Sequence, residues 1–306
     1  MNSVVEISSE GINISVSKGF LLVKQQEAED KIPLSDIETL IINSYGAYIS
    51  NKAIMRLSEN NIPIIHCGQN AVPCSMTLPY GNNVYRKDRI ELQIKGSLPL
   101  KKNLWQQVIK AKIRNQAAVL ELNKFRHNDL DALADKVQSG DVGNNEAIAA
   151  RIYWERLFGE GFRRNTDLPG INSFLNYGYA ILRASMCRHI VAAGLIPELG
   201  IHHHNQMNPY CLADDLMEPF RPYIDLCVRL QLISATSPLS TAHKKTLIGL
   251  LDLPVLIADT NSHVRYCIQR AVSDFVLSLV QKKAGIFYPQ ISGKTLFNMQ
   301  EQLTQT

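Results

Sequence analysis

The chain lacks the marks of several protein classes. Its six cysteines, at 67, 74, 187, 211, 227 and 267, form no CxxC pair and fit no zinc-finger frame. Reduced and mostly buried thiols are the expectation, not a disulfide or zinc scaffold. No apolar run approaches the length that spans a bilayer. The opening MNSVVEISSEGINIS alternates instead of forming the apolar core of a secretory signal. A cytoplasmic protein with no membrane partner is expected. The zinc-hydrolase motif HExxH is absent, as are repeats and low-complexity segments. Charge of one sign is also scarce. The net charge of +4 over 306 residues permits nucleic-acid binding without arguing for it.

What is present is a core-forming composition, 45% hydrophobic and 20% charged. Two periodicities divide the chain. Up to about residue 80 the segments VVEIS, INISVS, GFLLVKQ, DIETLIINS, AYIS, IPIIHCG and VPCSMTL read as strands, by alternation or β-branched content. One helix interrupts them, NKAIMRLSENN, which Ser50 can cap. His66, beside an apolar run, reads as a core or edge residue. The turn-rich PYGNN, 79 to 83, is the expected linker. Beyond it the period is helical, through Leu104, Val108 and Leu120, then GDVGNNEAIAARIYWERLFG, then INSFLNYGYAILRASMCRHIVAAGL. The expected class is α+β: a β-sandwich-like domain over 1–83, linker included, followed by a larger all-α catalytic domain over 84–306.

The chemistry concentrates in LGIHHHNQMNPYCLADDLMEPFRP, residues 199 to 222. Three adjacent histidines, His202, His203 and His204, cannot all face one ion, because neighbouring side chains point apart. Asp215 and Glu218 are three apart, which places them on one face if a helix runs through both. On spacing alone these acids read equally as helix-start acids that complement the dipole and as metal ligands. Glu146, which opens an amphipathic helix, carries the same ambiguity. An imidazole with separated carboxylates suits Mg²⁺ or Mn²⁺ and, through them, phosphodiester chemistry. Basic residues cluster between Arg86 and Arg114, where the only acids are Asp88 and Glu91. A solvated helix face is the ordinary reading of such a run.

Four segments, NNEAIAARIYW, INSFLNYGYAILRA, LGIHHHNQMNP and LADDLMEPFRP, together resemble the signatures of CRISPR-associated protein one, the spacer-acquisition integrase and endonuclease, in the expected order. The triple histidine and the length resemble the version of type II systems. The resemblance implies a metal site of Glu146, His203 and Glu218, these three also being the catalytic residues, with Asp215 as a possible additional acid. His203 fits the frame of a glycine, two residues and a histidine counted from Gly200, although a slip of one would exchange it for His202 or His204. Asn176, Tyr177 and Tyr179 would line the site, and Tyr153 and Trp154 would pack. A Mg²⁺ or Mn²⁺ cofactor follows, with insertion of short double-stranded DNA into a CRISPR repeat by transesterification from 3′-hydroxyl ends. The implied partners are spacer-precursor and repeat DNA, a second copy through the β-rich domain, a dimer of CRISPR-associated protein two flanked by two dimers of this chain, and other type II adaptation and effector proteins. Arg86, Lys87, Lys110, Lys112, Arg163, Arg164, Lys244 and Lys245 would form a DNA-backbone surface. A general nuclease for branched DNA and a non-catalytic DNA scaffold remain open as alternatives.

Overall fold

A computed structural model describes residues 3–68, 73–80, 83–231, 237–257 and 260–304. Gly81 and Asn82 of the expected linker lie outside the described residues. Strands come first: β1 (Ser3–Ile7), β2 (Asn13–Ser17), β3 (Phe20–Gln25), β4 (Ala28–Pro33), β5 (Ile37–Ile42) and β6 (Tyr48–Ile49), then helix α1 (Asn51–Glu59), β7 (Ile64–Cys67) and β8 (Pro73–Thr77). They form two four-stranded sheets, ordered β1-β5-β7-β8 and β4-β3-β2-β6. In the first, β1, β5 and β7 run parallel and β8 antiparallel. All six residues of β5, IETLII, are buried, as befits a strand covered on both faces. In β2, Ile14 and Val16 alternate inward and join Leu21, Leu40, Ala53 and Leu57 in one core between the sheets and α1. Ser50 caps α1 by accepting from the Ala53 amide at 3.2 Å. His66, half-buried on β7, hydrogen bonds Thr77 of β8. The strand β4, AEDKIP, is polar and largely exposed. Its pairing with β3 gives no alternation signal in the sequence.

The remainder is mostly helical: α2 (Arg86–Lys95), α3 (Leu98–Leu122), α4 (Asn128–Lys136), α5 (Asn145–Phe158), α6 (Ile171–Ala192), α7 (Cys211–Met217), α8 (Arg221–Leu230), α9 (Thr241–Gly249), α10 (Val264–Gln281) and α11 (Gly293–Thr304). It is not all-α as expected. A hairpin of β9 (Pro254–Ile257) and β10 (Thr260–His263) precedes α10. Strand β9 reads PVLI, too short for its apolar content to decide between helix and strand. Helix α6 is the centre of this part and is buried along most of its length. Gly178 is required there: a Cβ would meet Ile224 of α8 at 2.5 Å. No helix among the described residues is long and apolar enough to cross a membrane.

Charged groups fasten the strands to the helices. Glu6 of β1 receives the Tyr177 hydroxyl at 3.0 Å and the Lys244 ammonium at 2.8 Å. Glu38 of β5 receives Ser185 at 2.7 Å and pairs with Arg265 at 2.8 Å. These buried pairs fix how α6, α9 and α10 sit on the first sheet.

Candidate active site

Helix α5 brings Glu146 into place through a cap the sequence reading missed. Asn144 precedes the helix in a left-handed conformation and its side chain caps nothing. Asp141 does so instead. Its carboxylate accepts the Asn145 amide at 3.0 Å and the Glu146 amide at 2.9 Å. Gly140 and Asp141 both have positive φ, at 76° and 49°, and this bend carries the carboxylate under the helix start. An aspartate four residues before Asn145 was the available signal, but ordinary cap spacing hides it.

Glu218 arrives from a different element. Helix α7 ends at Met217, and Glu218 opens a single 3₁₀ turn whose second residue is Pro219. Met217 and Glu218 both keep right-handed helical dihedrals, so the turn continues the path of α7, and both acids act on His203, Asp215 through a hydrogen bond and Glu218 through its charge. The Glu218 carboxylate is 3% exposed. Its Oε1 pairs with Arg221 at 3.1 Å and its Oε2 with Lys112 at 2.7 Å. The same Lys112 ammonium donates to Glu146 Oε1 at 2.6 Å. One cationic atom thus stands between the two carboxylates, one from α5 and the other from the α7–α8 turn. Burial alone would raise the Glu218 carboxyl, but Arg221 and Lys112 outweigh it and hold the group below its ordinary value. For Lys112, burial pulls down while Glu218 and Glu146 push up, and the net direction is up.

Asp215 is fully buried and sits behind the histidines. It accepts the backbone amides of Ile201 at 2.6 Å, His202 at 2.8 Å and His203 at 3.4 Å, together with Nδ1 of His203. A carboxylate so occupied orients the loop and the His203 ring. Its hydrogen bond raises the His203 imidazole above its usual range. It also fixes which nitrogen is free. With Nδ1 facing Asp215, Nε2 is available, the second-sphere arrangement of a metal-binding histidine. His202 lies flat on Trp105 of α3, centroids 4.3 Å apart at an interplanar angle of 3°, and burial lowers its pKa. His204 lines an open cavity of about 680 Å³ with His203, Lys101 and Met207. The three histidines therefore have three different surroundings.

The glycine of the Gly-x-x-His frame has a steric reason. A Cβ on Gly200 would meet the His203 carbonyl oxygen at 2.4 Å and Asp215 Oδ2 at 2.9 Å. Gly200→Ala is expected to cost about 1–3 kcal/mol and to shift His203, read as lost imidazole protection of Nδ1 in NMR spectra.

Around this centre runs a cationic and aromatic frame. Arg221 and Arg164 lie over the Tyr179 ring at 5.0 and 5.3 Å. Tyr179 and Tyr153 both donate to the buried Asp225, the latter at 2.9 Å. Tyr153 is therefore more than packing. Trp154 does pack, against Phe158 and Phe162. Asn176 accepts Arg164 at 2.7 Å and Tyr177 ties to Glu6. Burial pushes Asp225 up to about 7. Its folded pKa lies above its unfolded one, so its contribution to stability is present below about pH 4 and is lost as pH rises to about 7. Asp225→Asn should flatten the pH dependence of stability over that window. A thermal-denaturation series from pH 4 to 8 reads this out; parallel curves for both proteins would contradict it.

Several basic residues expected on a DNA surface are committed elsewhere. Lys112 is 9% exposed and holds Glu146 and Glu218, while Lys244 is 6% exposed and holds Glu6. Arg164 is spent on Asn172, Asn176 and Tyr179. Their alternation with apolar neighbours resembles a solvated face, and only long-range partners reveal otherwise. Lys87, Arg163 and Lys245 are exposed; Arg86 and Lys110 are half-buried.

Among the described residues no group of three or more His, Cys, Asp or Glu side chains closes into a metal cage. The donor chemistry nonetheless fits a hard divalent ion. Two carboxylates already hold a positive charge between them, and an oriented imidazole presents Nε2 in the same electrostatic neighbourhood, its pKa being raised in part by Glu218 and Glu146.

Strands followed by helices, with a buried acid and lysine centre in the helical part, define an α+β protein built to hold charge in its interior. The family model for CRISPR associated protein Cas1 matches residues 5–237. The CRISPR-associated endonuclease Cas1 of Neisseria meningitidis serogroup C (strain 8013) is 36% identical over 283 residues, covering 90% of this chain and 91% of that protein. The chain belongs to the Cas1 family. Its fold is shared with a casposase bound to an integration product, at a TM-score of 0.77 and 21% identity over 99% of this chain and 100% of that one. It is shared also with a chain of a Cas6-RT-Cas1–Cas2 complex, at a TM-score of 0.75 and 17% identity over 94% of this chain and 36% of that one.

Proposed function

We propose that this chain is a metal-dependent DNA integrase and endonuclease of CRISPR adaptation. It joins short double-stranded DNA into a CRISPR array by transesterification from 3′-hydroxyl ends. The observation that carries the reading is the pair of carboxylates, Glu146 and Glu218, converging on one cationic atom in a member of the Cas1 family. Glu146, Glu218 and Nε2 of His203 are the groups that would hold Mg²⁺ or Mn²⁺. The chemistry such an ion supplies when bound is polarisation of the scissile phosphate and stabilisation of alkoxide charge.

The chain's own residues do the rest. Asp215 keeps His203 in one tautomer, so that any proton handled by the imidazole passes at Nε2. Arg221, braced by Glu218 and Asp214, places fixed positive charge beside the reaction centre. Lys87, Arg163 and Lys245, all exposed, hold the DNA backbone without reading its sequence. The β-rich part, 1–83, serves as a sandwich-like dimerisation domain: its two sheets share one core and the helices cover the other face of the first sheet, which leaves the β4-β3-β2-β6 sheet for a second copy. The helical part, 84–306, is the catalytic domain. The matched Cas6-RT-Cas1–Cas2 structure supports Cas2 as a partner; the arrangement we propose is a Cas2 dimer flanked by two dimers of this chain, in the cytoplasm and within a type II-like system.

The test is a joining assay with the partner protein, a 3′-hydroxyl fragment, a repeat-bearing plasmid and Mn²⁺. Wild type is expected to yield joined product that chelator abolishes. Equal activity on a repeat-free branched target would instead assign a general nuclease.

A further inference from the structure

The lysine between the two carboxylates has a consequence beyond the reading of a metal site. Lys112 Nζ lies 2.6 Å from Glu146 Oε1 and 2.7 Å from Glu218 Oε2. The other Glu218 oxygen is engaged by Arg221 at 3.1 Å. Each Glu218 oxygen therefore already faces a cation, and of these two cations Lys112 is the one that also contacts Glu146. A divalent ion held by both acids would compete with the ammonium for their negative charge. Two cations held by one buried carboxylate pair repel strongly. The backbone beneath Lys112 cannot yield, because Val108, Ile109 and Ile113 on the same helix are fully buried. Only the side chain can move.

We infer that Lys112 is a resident counter-cation, which holds Glu146 and Glu218 together in the metal-free protein and withdraws when a divalent ion binds. This rests on the metal-site reading above. It gives Lys112 two opposed effects. The ammonium keeps a buried carboxylate pair neutralised before metal arrives, and it competes with the metal for the same pair. Metal affinity is thereby set lower than the acid and histidine donors alone would give.

The test uses the full-length chain with Mn²⁺ alone, titrated by the electron paramagnetic resonance signal of the free ion, for wild type and Lys112→Met. The variant is expected to bind Mn²⁺ roughly tenfold more tightly. It should melt below wild type in chelator, with the gap closing as Mn²⁺ is added. Wild-type or weaker Mn²⁺ affinity in the variant, with wild type binding normally, would overturn this inference and leave the metal site standing. No binding by either protein at millimolar Mn²⁺ would overturn both. Should Lys112→Met fail to fold, the wild-type protein crystallised with Mn²⁺ decides: Nζ still within about 3 Å of both carboxylates overturns the inference, and Nζ displaced supports it.

Discussion

Glu218→Ala destabilises the protein by about 3–5 kcal/mol and abolishes DNA joining, whereas Glu146→Ala abolishes joining at a cost of about 1 kcal/mol. The two acids are read as equivalent ligands, yet their surroundings differ. The Glu218 side chain is 4% exposed and neutralises Lys112 and Arg221, while that of Glu146 is 26% exposed and pairs with Lys112. Removing Glu218 leaves two interior cations short of charge. Removing Glu146 leaves Lys112 with Glu218 still in place. Urea midpoints for both variants, with the joining assay run beside them, measure the split. Equal losses of stability would show that the buried charges are not distributed as described.

The second large effect is at Asp215. Asp215→Ala strips the acceptor from three consecutive backbone amides and from His203 Nδ1 at once. Hydrogen bonds to a charged group contribute about 1.5–3 kcal/mol each, and donors left buried without a partner add their desolvation. A loss of about 3–5 kcal/mol is expected, the four contacts being one unit and not additive. Asp215→Asn keeps the size and one acceptor oxygen, so it should recover part of the stability. It should not recover the tautomer: the amide can face Nδ1 with its NH₂, turning the His203 proton to Nε2. Nitrogen chemical shifts of His203 distinguish the two. An unchanged tautomer in Asp215→Asn would remove Asp215 as the orienting group.

The general shape of the molecule follows from periodicity. Alternation in INISVS and the β-branched content of DIETLIINS give strands before residue 80, and the 3.6-residue pattern gives α3, α5 and α6. Elements without such a pattern were hidden: β4, whose side chains are polar, and the β9–β10 hairpin, too short to distinguish from helix. At the site, local order was legible where one segment carries it, as with Glu146 in the first turn of α5. It failed where the reason lies far along the chain. Lys112 looks like a surface lysine until Glu146 and Glu218, 34 and 106 positions away, fold onto it. His202 has no visible purpose until Trp105, from α3, lies under it. The i, i+3 relation of Asp215 and Glu218 gave no sign of their different partners, the histidine loop for one and Lys112 with Arg221 for the other.

The central claim is that Glu146, His203 and Glu218 form one divalent-metal centre. Diffraction from crystals grown with Mn²⁺, measured for anomalous signal, tests it most directly. A single strong peak is expected about 2.0–2.2 Å from a carboxylate oxygen of Glu146, a carboxylate oxygen of Glu218 and Nε2 of His203. A peak on other residues, or ligation through His202 or His204 in place of His203, would contradict it.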